Sequence, residues 1–282
     1  MGWHEFRGSA CGYRGLSDLS LQFRWQPVAH HQAFVYSLTM ITKVRGIVLR
    51  TTRYGESSLV LHCYTEQYGR QTYLMKGVRR SKKQHRSNLF QALFVLDFEL
   101  YYKEGADMHL VKEVTRAFPL NRLPYDIVRS TQAIFIAEVL YRVVREEEAN
   151  PVLATYLINS IRYLDAMESS SPDFHIAFLF QLSKYLGFFP QSEALPSRPF
   201  FDMEKGQYVS VQGDPATCLN LEESRLWGRY MLLDFKDKCS TDFNGEQRRQ
   251  VLELLMKYYR LHTDGMGEIR SLEVLHDFFH TN

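Results

Sequence analysis

A period of two dominates Met40–Arg116, and it sets the fold of that part of the chain. Phe90, Ala92, Phe94, Leu96, Phe98, Leu100 and Tyr102 fall on one face, alternating with other residues over more than a dozen positions. A strand that long rarely stays flat. It coils around a small barrel and takes part in both halves of a closed sheet. Shorter apolar runs precede it at Val44–Thr52, Ser58–Thr65 and Arg70–Lys76, and Asp107–Arg116 follows it. Glycine-centred turns at Tyr54-Gly55-Glu56 and Gln67-Tyr68-Gly69 separate the first three. No helix long enough for a parallel crossover intervenes, so the segment reads as a five-stranded antiparallel barrel of the OB-fold type.

After Pro119 the period becomes helical. Asp126–Arg145 places Ile127, Ile134, Val139, Leu140 and Val143 at helix-compatible spacings. Asn150-Pro151 joins an N-cap to proline at the first helical position, and Ser171-Pro172 repeats that start signal. The helix after it carries Phe174, Phe178, Leu182 and Tyr185 and stops at Gly187. Gln191–Asn220 breaks the pattern, with a small hairpin turning at Lys205-Gly206. Helices resume at Leu221–Leu233, Gly245–His262 and Ser271–Phe279. The expected fold is α+β, a barrel over 40–119 followed by an all-helical domain over 120–282 that contains an irregular insertion at 191–220. Residues 1–39 carry neither period, and they lack the apolar core of a secretion signal. They read as a disordered extension or as a misassigned start, with translation at Met40 the preferred reading.

Charge sharpens the division. Residues 40–119 hold 14 basic and 7 acidic side chains, net +7, whereas 120–282 hold 17 and 23, net −6. A basic block fused to an acidic one suggests a polyanion-binding module joined to a domain with other work. The densest basic stretch is Lys76–Arg86, where Lys76, Arg79, Arg80, Lys82, Lys83 and Arg86 occur without an acid. Such clusters bind phosphate backbones by releasing condensed counterions. Tyr54, Tyr64, Tyr68 and Tyr73 alternate with Arg45, Arg50, Arg53, Arg70 and Lys76 on the same short strands. Barrels of this type hold single strands by stacking bases on aromatics inside a basic groove. About half of the tyrosines are expected to be core instead.

Motifs for catalysis are missing. There is no phosphate-binding G-x-x-x-x-G-K-[ST] loop, no G-x-G-x-x-G, no G-x-S-x-G and no H-E-x-x-H. Cys11, Cys63, Cys218 and Cys239 form no C-x-x-C pair, so neither a disulfide framework nor a four-thiolate metal site is encoded. His62, His85, His109 and His175 stand alone and read as surface or internally satisfied residues. No apolar run approaches the roughly 18 residues of a membrane span. The chemistry on offer is binding, with no cofactor and no metal, in a reducing cytoplasm.

Several motifs, in order, resemble one family. They are Lys43-Val44-Arg45-Gly46-Ile47-Val48-Leu49-Arg50, Tyr54-Gly55-Glu56-Ser57, Thr65-Glu66-Gln67-Tyr68-Gly69-Arg70, Lys76-Gly77-Val78-Arg79-Arg80 and Phe98-Glu99-Leu100-Tyr101. Near the end come Tyr258-Tyr259-Arg260-Leu261-His262 and Ile269-Arg270-Ser271-Leu272-Glu273-Val274-Leu275. From Met40 onward the chain resembles the bacterial DNA repair protein RecO family. The resemblance implies a recombination mediator that binds single- and double-stranded DNA and anneals strands without ATP. It implies work with RecR to load RecA, contact with the acidic tail of the single-stranded DNA-binding protein, and a nucleoid-associated location. Many members carry a four-cysteine zinc finger where this chain has Gln191–Asn220, with Cys218 alone. The implied insertion is a degenerate, cysteine-poor hairpin held by Phe200, Phe201 and Tyr208. An acidic apolar tail needs an apolar groove with basic edges, and Arg129, Arg142 and Arg145 are the candidates. An RNA-binding OB-fold protein and a protein-recruiting adaptor are the competing readings.

Overall fold

The computed structural model describes residues 40–78, 88–191, 196–233 and 243–280, with the side chains of 276–280 excepted. Five strands come first: β1 (Met40–Tyr54), β2 (Ser58–Thr65), β3 (Gly69–Met75), β4 (Val95–Tyr102) and β5 (His109–Arg116). They close into a barrel in the order β1-β2-β3-β5-β4, with β4 returning to β1. All pairings are antiparallel except a short parallel match of β3 with β5 at Tyr73–His109 and Leu74–Leu110.

The strand that coils through both halves of the barrel is β1. Its first half, Met40–Ile47, pairs with β4, and Gly46–Tyr54 pairs with β2. At about 3.3 Å per residue, 15 residues exceed the length of a flat strand in so small a sheet. Gly46 lies where both partners meet; a Cβ there would stand 3.3 Å from the Thr65 methyl and 3.4 Å from the Phe98 ring. Just beyond, the register jumps from Val48–Cys63 to Arg50–His62, so Leu49 bulges inward and is buried.

The sequence assigned that long coil to Phe90–Tyr102, and the structure corrects it. β4 begins only at Val95, because Leu93 takes a left-handed conformation, φ 61°. The segment before it still clings to β1: the Leu93 N–H donates to the Val48 carbonyl and the Val48 N–H to the Phe94 carbonyl, both 2.9 Å. Phe90, Leu93, Phe94, Val95 and Leu96 are all buried, a run that loses the alternation on which the expectation rested. Leu93 lines a small apolar cavity with Ile136, Leu140, Leu157, Ile161, Leu164, Phe174 and Phe178. It is the barrel's insertion into the helical core.

Helices α1 (Ile127–Val143), α2 (Pro151–Ala166), α3 (Phe174–Tyr185), α4 (Leu221–Met231), α5 (Gly245–His262) and α6 (Ser271–His280) follow. Asp126 and Asn150 cap α1 and α2 through N–H donors three residues on, and Asn220 and Asn244 form full capping boxes with Glu223 and Gln247. Two expectations fail here. α3 starts behind Asp173 rather than at Ser171-Pro172, and Asp173 makes no cap bond; its carboxylate takes the Arg248 guanidinium at 2.8 Å and the Tyr230 hydroxyl at 3.3 Å. On α1, Ile127 and Ile134 are 64% and 54% exposed, and Phe135, Ile136, Val139 and Leu140 face inward. α3 is buried on nearly every side and forms the axis of the helical core.

The hairpin is β6 (Phe200–Asp202) with β7 (Gln207–Val209). Phe201 and Tyr208 are buried as expected, Phe201 stacking on Trp227 at 5.1 Å, while Phe200 stays half-buried. Asp202 accepts from the Glu204 and Lys205 N–H groups and the Lys205 ammonium, which closes the turn. Cys218 lies buried against this hairpin, bridging to Asp202 through the backbone. A tetrahedral zinc needs four such ligands. Among the described residues no cluster of three or more His, Cys, Asp or Glu is placed to hold a metal, so this hairpin does not fit one.

Candidate nucleic-acid interface

Strand alternation separates the barrel surface into two faces of opposite electrostatic character. On the outside of β1, β4 and β5, basic side chains meet acids. Arg45 grips Asp97 with two bonds of 2.7 and 3.1 Å, and Lys43 and Lys112 flank Glu99 at 3.5 and 3.2 Å. Asp97 raises the Arg45 pKa further through this bond. An open groove of about 560 Å³ lies here, and Glu66 and Glu113 give it more acids than bases. A polyanion gains nothing on this face.

Outside the other half of the barrel the pattern reverses. Val60 and His62 on β2, and Thr72 and Leu74 on β3, alternate with the core residues Leu59, Leu61, Tyr73 and Met75. Cross-strand register lines up Arg50, His62 and Thr72 in one row and Thr52, Val60 and Leu74 in the next. Exposed Arg53 and Tyr54 edge the face at the β1–β2 turn, where Gly55 takes φ 60°. Exposed Lys76 leaves β3 beside that turn, because the Val78 N–H donates to the Ser57 carbonyl at 3.0 Å. The stem of the basic loop therefore emerges at the edge of this face. Arg79, Arg80, Lys82, Lys83 and Arg86 lie outside the described residues.

Of the residues assigned to nucleic acid from sequence, Arg50, Arg53, Tyr54 and Lys76 are brought to this face and its edge. Arg45 is held on the opposite one by Asp97. Tyr73 is fully buried, and its phenol pKa is driven up chiefly by burial, so it is core and not a stacking platform. Tyr68 is half-buried and stacks at 5.0 Å on Tyr102, which stacks at 4.5 Å on His109 beside the β3–β5 seam. Arg70 turns to α1 and donates to the Tyr141 and Val144 carbonyls at 2.6 and 3.0 Å. Its guanidinium lies 4.1 Å from the Tyr141 ring centre. It caps the C-terminus of a helix, where a cation meets the negative end of the macrodipole.

The candidates for a protein partner fare differently. Arg129 is buried, with bonds to Asp126 at 3.0 Å and the Met167 carbonyl at 2.7 Å. It is structural and cannot meet a partner. Arg142 and Arg145 reach across to the loop before α6, at the Glu268 and Gly265 carbonyls. Arg145 remains exposed.

His62, Thr72 and Tyr141 were missed by sequence reasoning. For His62 the signal was the β1–β2 register, since a hairpin turning at Tyr54–Ser58 sets Arg50 opposite His62. Burial first, then the Arg70 and Arg50 charges, lower the His62 pKa from its ordinary value.

A closed small barrel with one ion-paired and one cationic face is built into a helical body. Comparison with known sequences is more specific. The family model "Recombination protein O N terminal" matches residues 40–118, and "Recombination protein O C terminal" matches 124–273. The DNA repair protein RecO of Phocaeicola vulgatus is 35% identical over 240 residues, covering 85% of this chain and 100% of the relative. Those of Bacteroides fragilis and Flavobacterium psychrophilum are 33% and 32% identical over 241 residues, with the same coverage. The chain belongs to the RecO family.

Proposed function

We propose that this chain is a DNA-binding mediator of recombinational repair whose barrel serves as an OB-fold. It binds single- and double-stranded DNA, anneals complementary strands without ATP and, with RecR, helps load RecA onto gaps covered by single-stranded DNA-binding protein. It acts by binding alone, in the cytoplasm at the nucleoid. The observation that carries the reading is the cationic β1–β2–β3 face. Arg50 and Lys76 lie there free of ion pairs among the described residues, beside Tyr54, with Arg53 at the adjacent turn and Lys76 opening a stretch with five more cations. Family membership and the relatives' names support repair as the setting. Arg145 is the remaining exposed candidate for the tail of the single-stranded DNA-binding protein.

The test is strand annealing without nucleotide, alongside a salt titration of binding. If about four loop cations reach phosphates, the log–log salt slope is near −3 on single strands and steeper on duplex, from roughly −0.7 and −0.9 per contact. Replacing Arg79, Arg80, Lys82 and Lys83 together with alanine is expected to flatten that slope, weaken binding to every sequence alike and reduce annealing in step. Unchanged affinity at low salt would move the DNA path away from the loop. Tighter binding to RNA than to DNA of the same sequence would instead favour an RNA-handling role.

A further inference from the structure

The row Arg50–His62–Thr72 has a property that neither strand alone explains. Its three side chains are direct cross-strand neighbours on the outer face. Such neighbours have Cβ atoms about 5 Å apart, and like charges placed so destabilise a sheet. Here an arginine is set opposite a histidine, with Arg70 close by and acting on that histidine's proton affinity. Among the described residues no carboxylate forms an ion pair with Arg50.

The helical body closes the row on one side. Two guanidinium groups lie over the Tyr141 ring of α1, Arg70 at 4.1 Å and Arg50 at 5.0 Å from its centre. It also meets the His62 ring edge-on at 5.3 Å and 65°. A guanidinium held over a ring keeps its N–H edges available for an oxygen acceptor. His62 Nδ1 lies 3.2 Å from Thr72 Oγ1, which leaves Nε2 without a partner among the described residues. Arg50 is exposed and Arg70 is committed to the α1 carbonyls, so Arg50 and His62 are the groups free to meet a ligand.

We propose that Arg50 and His62, positioned by Tyr141 and Thr72, form a phosphodiester-binding station at the junction of barrel and helices, and that binding there takes up a proton on His62. This rests on the nucleic-acid reading above and extends it from Arg50 to His62 on β2 and Tyr141 on α1. An anionic oxygen between the two side chains relieves their mutual repulsion and favours the imidazolium. The unliganded imidazole has a lowered pKa, from burial and from Arg70 and Arg50. The charges acting on it are Arg70 on β3 and Arg50 on β1, and Arg145, just past α1, acts on Arg70. The Glu146–Glu148 segment acts on Arg70 and Tyr64 instead. The sign follows: the bound state holds the proton at a pH where the free state has lost it. Affinity then rises as pH falls through the window between the two pKa values, and is flat above it.

The experiment uses the full chain and a single-stranded oligonucleotide, measuring Kd at several pH values and salt concentrations. Wild type is expected to bind about three- to tenfold more tightly at pH 6 than at pH 8, the size of a shift of up to about one pKa unit. His62→Gln should lose most of that change. His62→Lys, with a fixed charge, should bind tightly at both pH values, an outcome that a purely structural role for His62 does not give. Arg50→Ala should flatten the log–log salt slope by about 0.7, one phosphate contact. Lys112→Ala removes a charge from the opposite face and is the control. An unchanged slope in Arg50→Ala, or full pH dependence in a folded His62→Gln, overturns the station. Failure of wild type to bind any oligonucleotide would instead overturn the nucleic-acid reading itself.

Discussion

Arg70 is a strand residue that ends a helix. Its guanidinium donates to two carbonyls in the last turn of α1, and its own N–H donates to the Glu146 carbonyl at 2.8 Å. Arg70→Ala leaves those half-buried carbonyls without their donor and is expected to cost about 2–3 kcal/mol, read as a shift in urea midpoint. Arg70→Lys should recover only part of this, since one ammonium cannot reproduce the flat fork. Asp165 has a comparable task at the barrel–helix linker, accepting the N–H groups of Asn121, Arg122 and Leu123 at 2.7–3.0 Å. Burial alone would raise its pKa, but these donors and the Arg129 charge outweigh burial and lower it. A folded-state pKa below the unfolded one gives stability that is present above about pH 4 and lost as pH falls through the depressed value. Asp165→Ala should therefore lower the thermal midpoint at pH 7, and the gap to wild type should narrow in acid. At this scale sequence reading did worst. Arg45, Arg70, Arg129 and Tyr73 were all assigned to binding, because a charged or aromatic residue carries no mark of the acid, carbonyl or core that a distant part of the chain supplies.

At the level of elements the sequence was more legible. Four of the five strands and all six helices begin within a few residues of the expected places, because turns at Gly55 and Gly69 and caps at Asn150, Asn220 and Asn244 are local signals. The exception is the segment before β4, where Leu93 leaves the pleat at φ 61°. Its alternating pattern was real from Phe94 onward, but burial against the helices filled in the other positions, and no local signal reports that. Leu93→Ala is expected to destabilise the fold by about 3 kcal/mol, since the side chain is buried and its loss enlarges a cavity that it lines with apolar residues. The hairpin at Phe200–Val209 gives a contrasting expectation. It is held by Phe201 against Trp227 and Tyr258 and by the Phe201 N–H to Ser224 Oγ at 2.9 Å. Treatment with a chelator should leave the unfolding midpoint where it was; a large drop would show that metal contributes to the fold.

Across the whole molecule, one continuous core joins barrel and helices, running from Val44 through Leu93 and Phe178 to Tyr259. The change from period two to helical period was visible in the sequence, but the shared interior was not, since periodicity reports which faces are buried and not what buries them. That interior bears on how the protein is made. Synthesis delivers the N-terminal part first, at about 5–20 residues per second. Strands β1–β3 can pair as soon as they emerge, whereas the cavity around Leu93 is completed by Phe178, 85 residues later in the chain. For roughly 4–17 seconds at those rates, the nascent barrel holds an apolar plug with nowhere to go. A fragment ending at Pro119 reproduces that moment permanently. It should bind a hydrophobic dye and aggregate on concentration, while the full chain, in which α1–α3 supply the other wall of the cavity, should do neither.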